Sequence, residues 1–97
     1  MYRFKPEIYE ELSSEIRRSL ANNCYFSGSA EVADGDVVCR LVASLIIWRR
    51  RVAPLSDERD TIVNVVPVWW ECHTVADGAD VGNDFDFEEF RCAMIEE

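Results

Sequence analysis

The chain has 97 residues, of which 48% are hydrophobic and 30% charged, with only 4 Gly and 3 Pro. That length and composition suit one compact domain and exclude a disordered, collagen-like or linker-dominated chain. With 10 Lys/Arg against 19 Asp/Glu the net charge is −9, which argues against nucleic acid or an anionic membrane as the main partner.

The acid is concentrated near the end of the chain, because beyond residue 60 Arg91 is the only base among nine acidic side chains. The segment Met1 to Glu7 lacks the apolar stretch of a signal peptide. The longest uncharged apolar run, Leu41 to Trp48, falls far short of the ~20 residues a helix needs to cross a bilayer. Cys24, Cys39, Cys72 and Cys92 show no CxxC spacing and read as reduced thiols of a cytoplasmic protein, with no zinc set among them.

The first predicted element is a helix from Pro6 to Asn22. Ile8, Leu12, Ile16 and Leu20 recur every four residues beside Tyr9, which makes one apolar stripe. Glu7, Glu10 and Glu11 stand toward its start and Arg17 and Arg18 toward its end, the order that the helix dipole favours. Next comes a hairpin, Cys24 to Ala33 and Asp36 to Arg51, with Asp34-Gly35 as its two-residue turn. Counting outward from that turn pairs Val32 with Val37, Ala30 with Cys39, Gly28 with Leu41, Phe26 with Ala43 and Cys24 with Leu45 on an apolar face. The opposite face is mixed, carrying Tyr25, Ser27, Ser29 and Glu31 against Val38, Arg40, Val42 and Ser44.

After a loop from Val52 to Arg59, a third strand runs from Asp60 to Val75, and Pro67 marks it as an edge strand or as bulged there. Its alternation puts Ile62, Val66, Val68, Trp70 and Cys72 toward the core and Val63, Val65 and Trp69 on the outer face. Residues 76–84 read as a polar loop. A final helix follows, with Asp86 and Glu89 as a capping box, Phe85 and Phe90 as a hydrophobic staple, and Phe87, Phe90 and Met94 as its buried stripe. The expected architecture is α+β in two layers, helix, three-stranded antiparallel meander and helix, in a single domain over residues 1–97. In layout it is similar to cystatin-like and cone-shaped α+β folds.

Few residues invite a chemical reading. Asp77, Gly82 and Glu88 fall at positions 1, 6 and 12 of a calcium loop, but Ala79 and Val81 occupy positions 3 and 5, where oxygen ligands are required. The stretch therefore reads as a solvated acidic turn. His73 is the one histidine, and Cys72 beside it points to the other face of a strand, so the two form no nucleophile and base pair. Glu71 shares the outer face with His73, with Arg40 nearby across the sheet, a polar group able to bind an anion or carboxylate. Arg49-Arg50-Arg51 beside Trp48 is a basic run too short to outweigh the overall charge.

The outer sheet face is the unusual surface. A solvent-facing sheet normally alternates to polar residues, whereas this one gathers Tyr25, Val42, Ile46, Trp48, Val65 and Trp69 beside Arg40, with Val38 and Val63. Trp, Tyr and Arg are the residues enriched at binding hot spots. The sequence thus reads as a non-catalytic interaction domain without a cofactor or metal, homodimeric through this face or through the edge of the third strand. One rival reading is an acidic inhibitor or nucleic-acid mimic that offers residues 77–97 to a basic groove on a heterologous protein. Another is a small-molecule site around His73 and Glu71.

Overall fold

A computed structural model describes residues 1–21, 23–50 and 61–95. The expected loop 52–59, together with Asn22, Arg51, Asp60, Glu96 and Glu97, lies outside the described residues. The element order is α1 (Pro6–Leu20), β1 (Tyr25–Asp34), β2 (Val37–Arg50), β3 (Thr61–Ala76), β4 (Ala79–Val81) and α2 (Phe87–Met94). The fold is α+β, a four-stranded antiparallel meander of order β1-β2-β3-β4 with α2 packed on α1 and β3, and α1 packed on β1.

The α1 stripe is as the periodicity predicts, with Ile8, Tyr9, Leu12, Ile16 and Leu20 all buried. They meet the inner side of the hairpin, where Cys39, Leu41, Ala43 and Leu45 are fully buried and Phe26, Ala30, Val32 and Ile47 nearly so. Each leucine withdrawn there contributes roughly 1.5–3 kcal/mol. Phe90 and Met94 of α2 close the core.

The hairpin turn is displaced from its expected position. Asp34 pairs with Val37, so Gly35-Asp36 form the two-residue loop and each β1 residue pairs two positions further along β2 than expected: Val32 with Cys39, Ala30 with Leu41, Phe26 with Leu45. Gly35 takes φ +60° at the first loop position, the place that a type II′ turn reserves for glycine. A slip of two keeps every side chain on its own face, so the apolar and mixed faces survive the altered register. Cys24, expected on the core face beneath Leu45, is exposed.

The second Asp-Gly dipeptide makes the turn that the first was expected to make. Asp77 (φ +52°) and Gly78 (φ +78°) are both left-handed, as a type I′ hairpin requires, and they fold β4 back onto Thr74–Ala76 of β3. A loop was expected over residues 76–84. The segment instead joins the end of β3 in a corner: Thr74 Oγ1 of β3 donates to the Val81 carbonyl (2.6 Å), and Asn83 Nδ2 donates to the Cys72 carbonyl (3.3 Å). The amino terminus is stitched alongside, with Tyr2 N–H donating to the Gly82 carbonyl (2.8 Å) and Asp84 N–H donating to the Tyr2 carbonyl (3.2 Å).

Two bulges divide β3. Trp69 pairs with Ser44 but Pro67 with Leu45, leaving Val68 extra; Asn64 pairs with Trp48 but Ile62 with Arg49, leaving Val63 extra. Each extra residue reverses the alternation. Trp70, Cys72 and Ile62 therefore lie on the inner side as expected, whereas the stretch between the bulges is inverted. Val65, expected on the outer face, pairs with Ile47 and is fully buried, while Val66 and Val68, expected in the core, are exposed.

Candidate functional site

Both helices pack on one side of the sheet, leaving the other uncovered by any described helix. Its cross-strand rows follow from the register. Tyr25, Ile46 and Val66 stand side by side, then Ser27, Ser44 and Trp69, then Ser29, Val42 and Glu71, then Glu31, Arg40 and His73. Trp48 lies beyond the first row, opposite Asn64. The apolar residues thus collect at one end of the face and the charged ones toward the hairpin turn.

Exposure separates this patch from ordinary surface. Trp48 is 58% exposed, Tyr25 54%, Trp69 47% and Ile46 43%, so four large side chains on one face remain in water. Val42 is half-buried between its neighbours, and Arg40 is exposed. Val65 is the one residue expected here that belongs to the core, and Val66 takes its place. Pro67 was the available signal for that exchange, because a proline within a strand accompanies a bulge and a bulge reverses the pleat. Trp70 is on the inner side but only partly covered, its ring 5.0 Å from Phe85 and 5.9 Å from Phe87 between centroids.

The polar group forms as the spacing implies. His73 Nε2 lies 3.2 Å from Glu71 Oε2, and Arg40 stands opposite His73 on β2. Cys72 projects to the inner face, where burial pushes its thiol up to about 12, far from the reactivity of a nucleophile at neutral pH. Burial raises the Cys39 thiol too.

The other charged segments have structural partners. Arg49 turns to the inner side and donates to the carbonyls of Ala21 (3.1 Å) and Asn23 (3.0 Å) just past the end of α1, away from Trp48 on the outer face. In the acidic stretch, Asp84 Oδ1 accepts from Phe4 N–H (2.7 Å) and Asp86 Oδ1 accepts from Glu88 N–H (2.9 Å) as the cap of α2. The reciprocal half of the expected capping box is replaced, because Asp86 N–H donates to Tyr9 Oη (3.0 Å). Phe85 and Phe90 make the staple, 6.1 Å between centroids. Among the described residues, no three His, Cys, Asp or Glu side chains are grouped as a metal site, and no helix is long and apolar enough to cross a membrane. Comparison with protein families, characterised proteins and solved structures finds no match to this chain.

Proposed function

We propose that this chain is a non-catalytic interaction domain that pairs with a second copy of itself through the outer sheet face. The observation that carries the reading is the cluster of Tyr25, Ile46, Trp48, Val66 and Trp69, exposed together on the side of the sheet opposite both helices. Contiguous apolar surface of this kind marks an interaction site, and aromatic residues dominate the energetics of such sites.

The partner is a second copy because the charges beside the patch are self-complementary. Arg40 and His73 stand among Glu31 and Glu71, so a two-fold pairing can set Arg40 of one protomer against a carboxylate of its partner while the aromatic ends stack. A chain of charge −9 gains from an interface that holds both signs. The reading places the domain in a reducing, cytoplasmic compartment, which suits four free cysteines, two of them exposed.

Light scattering over a concentration series tests the proposal on the wild type and on Trp69→Glu. The wild type is expected to be dimeric and the variant a folded monomer with an unchanged far-UV spectrum. A wild type that stays monomeric at every concentration overturns it.

A further inference from the structure

The two long borders of the sheet are built differently. On the β3 side, β4 covers Thr74–Ala76 and the remaining length carries Pro67 and both bulges, devices that spoil pairing with another strand. On the β1 side the ten-residue strand Tyr25–Asp34 pairs with β2 in continuous register without proline or bulge, and among the described residues it ends the sheet.

The direction of its free backbone groups follows from one bond. Ile47 N–H donates to the Cys24 carbonyl (2.8 Å) in the register that β1 continues, and bonded pairs alternate along an antiparallel ladder. Phe26, Gly28, Ala30, Val32 and Asp34 therefore aim N–H and C=O at β2. Tyr25, Ser27, Ser29, Glu31 and Ala33 aim theirs outward, and all five are exposed. Alongside this border runs a groove of about 390 Å³ between α1 and β1, lined by Glu10, Glu11, Glu15, Arg18 and Glu31 among others. Three carboxylates of α1, Glu10, Glu11 and Glu15, stand along it with one guanidinium, and Arg18 is already held by Glu15 (2.8 Å).

We infer that the β1 border receives an extended basic segment of another protein, which adds a fifth strand to the sheet. The backbone of the segment would pair with the outward groups of β1, and its alternate Lys or Arg side chains would reach into the acidic groove. The charge selects the occupant. Two copies paired border to border would bring two such acidic flanks together, which disfavours a second copy here. This border adjoins the aromatic patch at Tyr25 but offers its backbone edge, where the patch offers side chains.

The probe is a ten-residue capped peptide of alternating Thr and Lys, titrated into the ¹⁵N-labelled chain, with a Thr and Glu peptide as control. The Lys peptide is expected to shift and protect the amides of Tyr25, Ser27, Ser29, Glu31 and Ala33 above the intervening ones, and to bind about tenfold or more tighter than the control. Ser29→Pro removes an outward N–H without breaking a bond to β2, so it should fold and weaken binding by about tenfold. Glu10→Gln/Glu11→Gln, exposed on α1, should weaken it independently, which keeps the test open if the proline variant does not fold. Absent binding at millimolar peptide, equal binding of both peptides, shifts centred on residues 77–89, or, in the Trp69→Glu background, peptide-free protection of these five amides that grows with protein concentration would each overturn the inference.

Discussion

The two faces of the sheet are made from the same strands and have opposite fates. The inner face buries Cys39, Leu41, Ala43, Leu45, Ile47 and Val65 under two helices, while on the outer face Tyr25, Ile46, Trp48 and Trp69 keep roughly half their surface. Apolar character alone does not distinguish them, since both carry aliphatic and aromatic side chains. The helices decide the difference: α1 and α2 have one apolar stripe each, and both stripes are spent on the same side. Among the described residues, no helix is left to cover the outer face.

Two adjacent residues of β3 should separate the two faces most strongly. Val65→Asp puts a carboxylate into the core beside Ile47, and it should leave no folded protein by circular dichroism, a cost of several kcal/mol. Val66→Asp, one position on, should fold as wild type and fail to dimerise in light scattering. If the two outcomes were exchanged, the bulges at Val63 and Val68 would be misplaced.

A smaller effect separates Leu41 from Val42. Truncating the fully buried Leu41 to Ala should cost about 2–5 kcal/mol in urea unfolding of a monomeric background such as Trp69→Glu. Val42→Ala, half-buried on the other face, should cost under about 1.5 kcal/mol there and weaken self-association instead. Thiol labelling reads the same division chemically. Cys24 and Cys92 are exposed and should react with a thiol reagent in the native state, whereas Cys39 and Cys72, whose thiols burial raises, should wait for unfolding.

How much of this was legible in the sequence depends on which rule each residue obeys. The stripe of α1 and the composition of the inner hairpin face follow from the 3.6 and 2.0 periods, and they survive a misplaced turn because moving a two-residue loop by one position shifts the pairing by two. The middle of β3 does not survive, since a bulge shifts it by one. Pro67 hinted at that break, but nothing local to Val63 or Val68 identifies either as the extra residue. The position of the first turn is not set by its dipeptide, because Asp-Gly suits two geometries. At Asp77-Gly78 both residues are left-handed; at Gly35-Asp36 only the glycine is, and the choice depends on how the flanking strands pair. For the candidate surface, the aromatic anchors Tyr25, Trp48 and Trp69 could be read from strand alternation, whereas Val66 and the outward amides of β1 needed the register.

The turns supply the next smaller effect. A Cβ added at Gly35 meets open space, so Gly35→Ala isolates the backbone cost of φ +60°. That cost should be about 1–2 kcal/mol in thermal or urea unfolding, with the same face buried and the oligomeric state unchanged. A change of oligomeric state would mean that the turn shapes the outer face as well as joining two strands.

The smallest expected effect lies where the inner side of the hairpin meets the amino terminus. Asp34 accepts a hydrogen bond from Tyr2 Oη (2.7 Å) and lies 3.5 Å from Lys5 Nζ. The phenol hydroxyl is the main cause that holds its carboxyl below the ordinary aspartate value; desolvation opposes it, and the nearby Lys5 adds a further lowering. A carboxyl lowered on folding stabilises the native state above its unfolded pKa, near 3.9, and that contribution is lost as pH falls through the lower folded value. Asp34→Asn should therefore reduce stability at neutral pH and flatten the loss of melting temperature below about pH 4, because one carboxylate fewer must be protonated. Added salt should shrink the Lys5 share, an exposed pair, more than the Tyr2 share. Tyr2→Phe removes the larger cause and keeps the charge. If it left the acid limb of the melting curve unchanged while Lys5→Met altered it, the link between the amino terminus and the hairpin would be ionic, and the short phenol contact would contribute only packing.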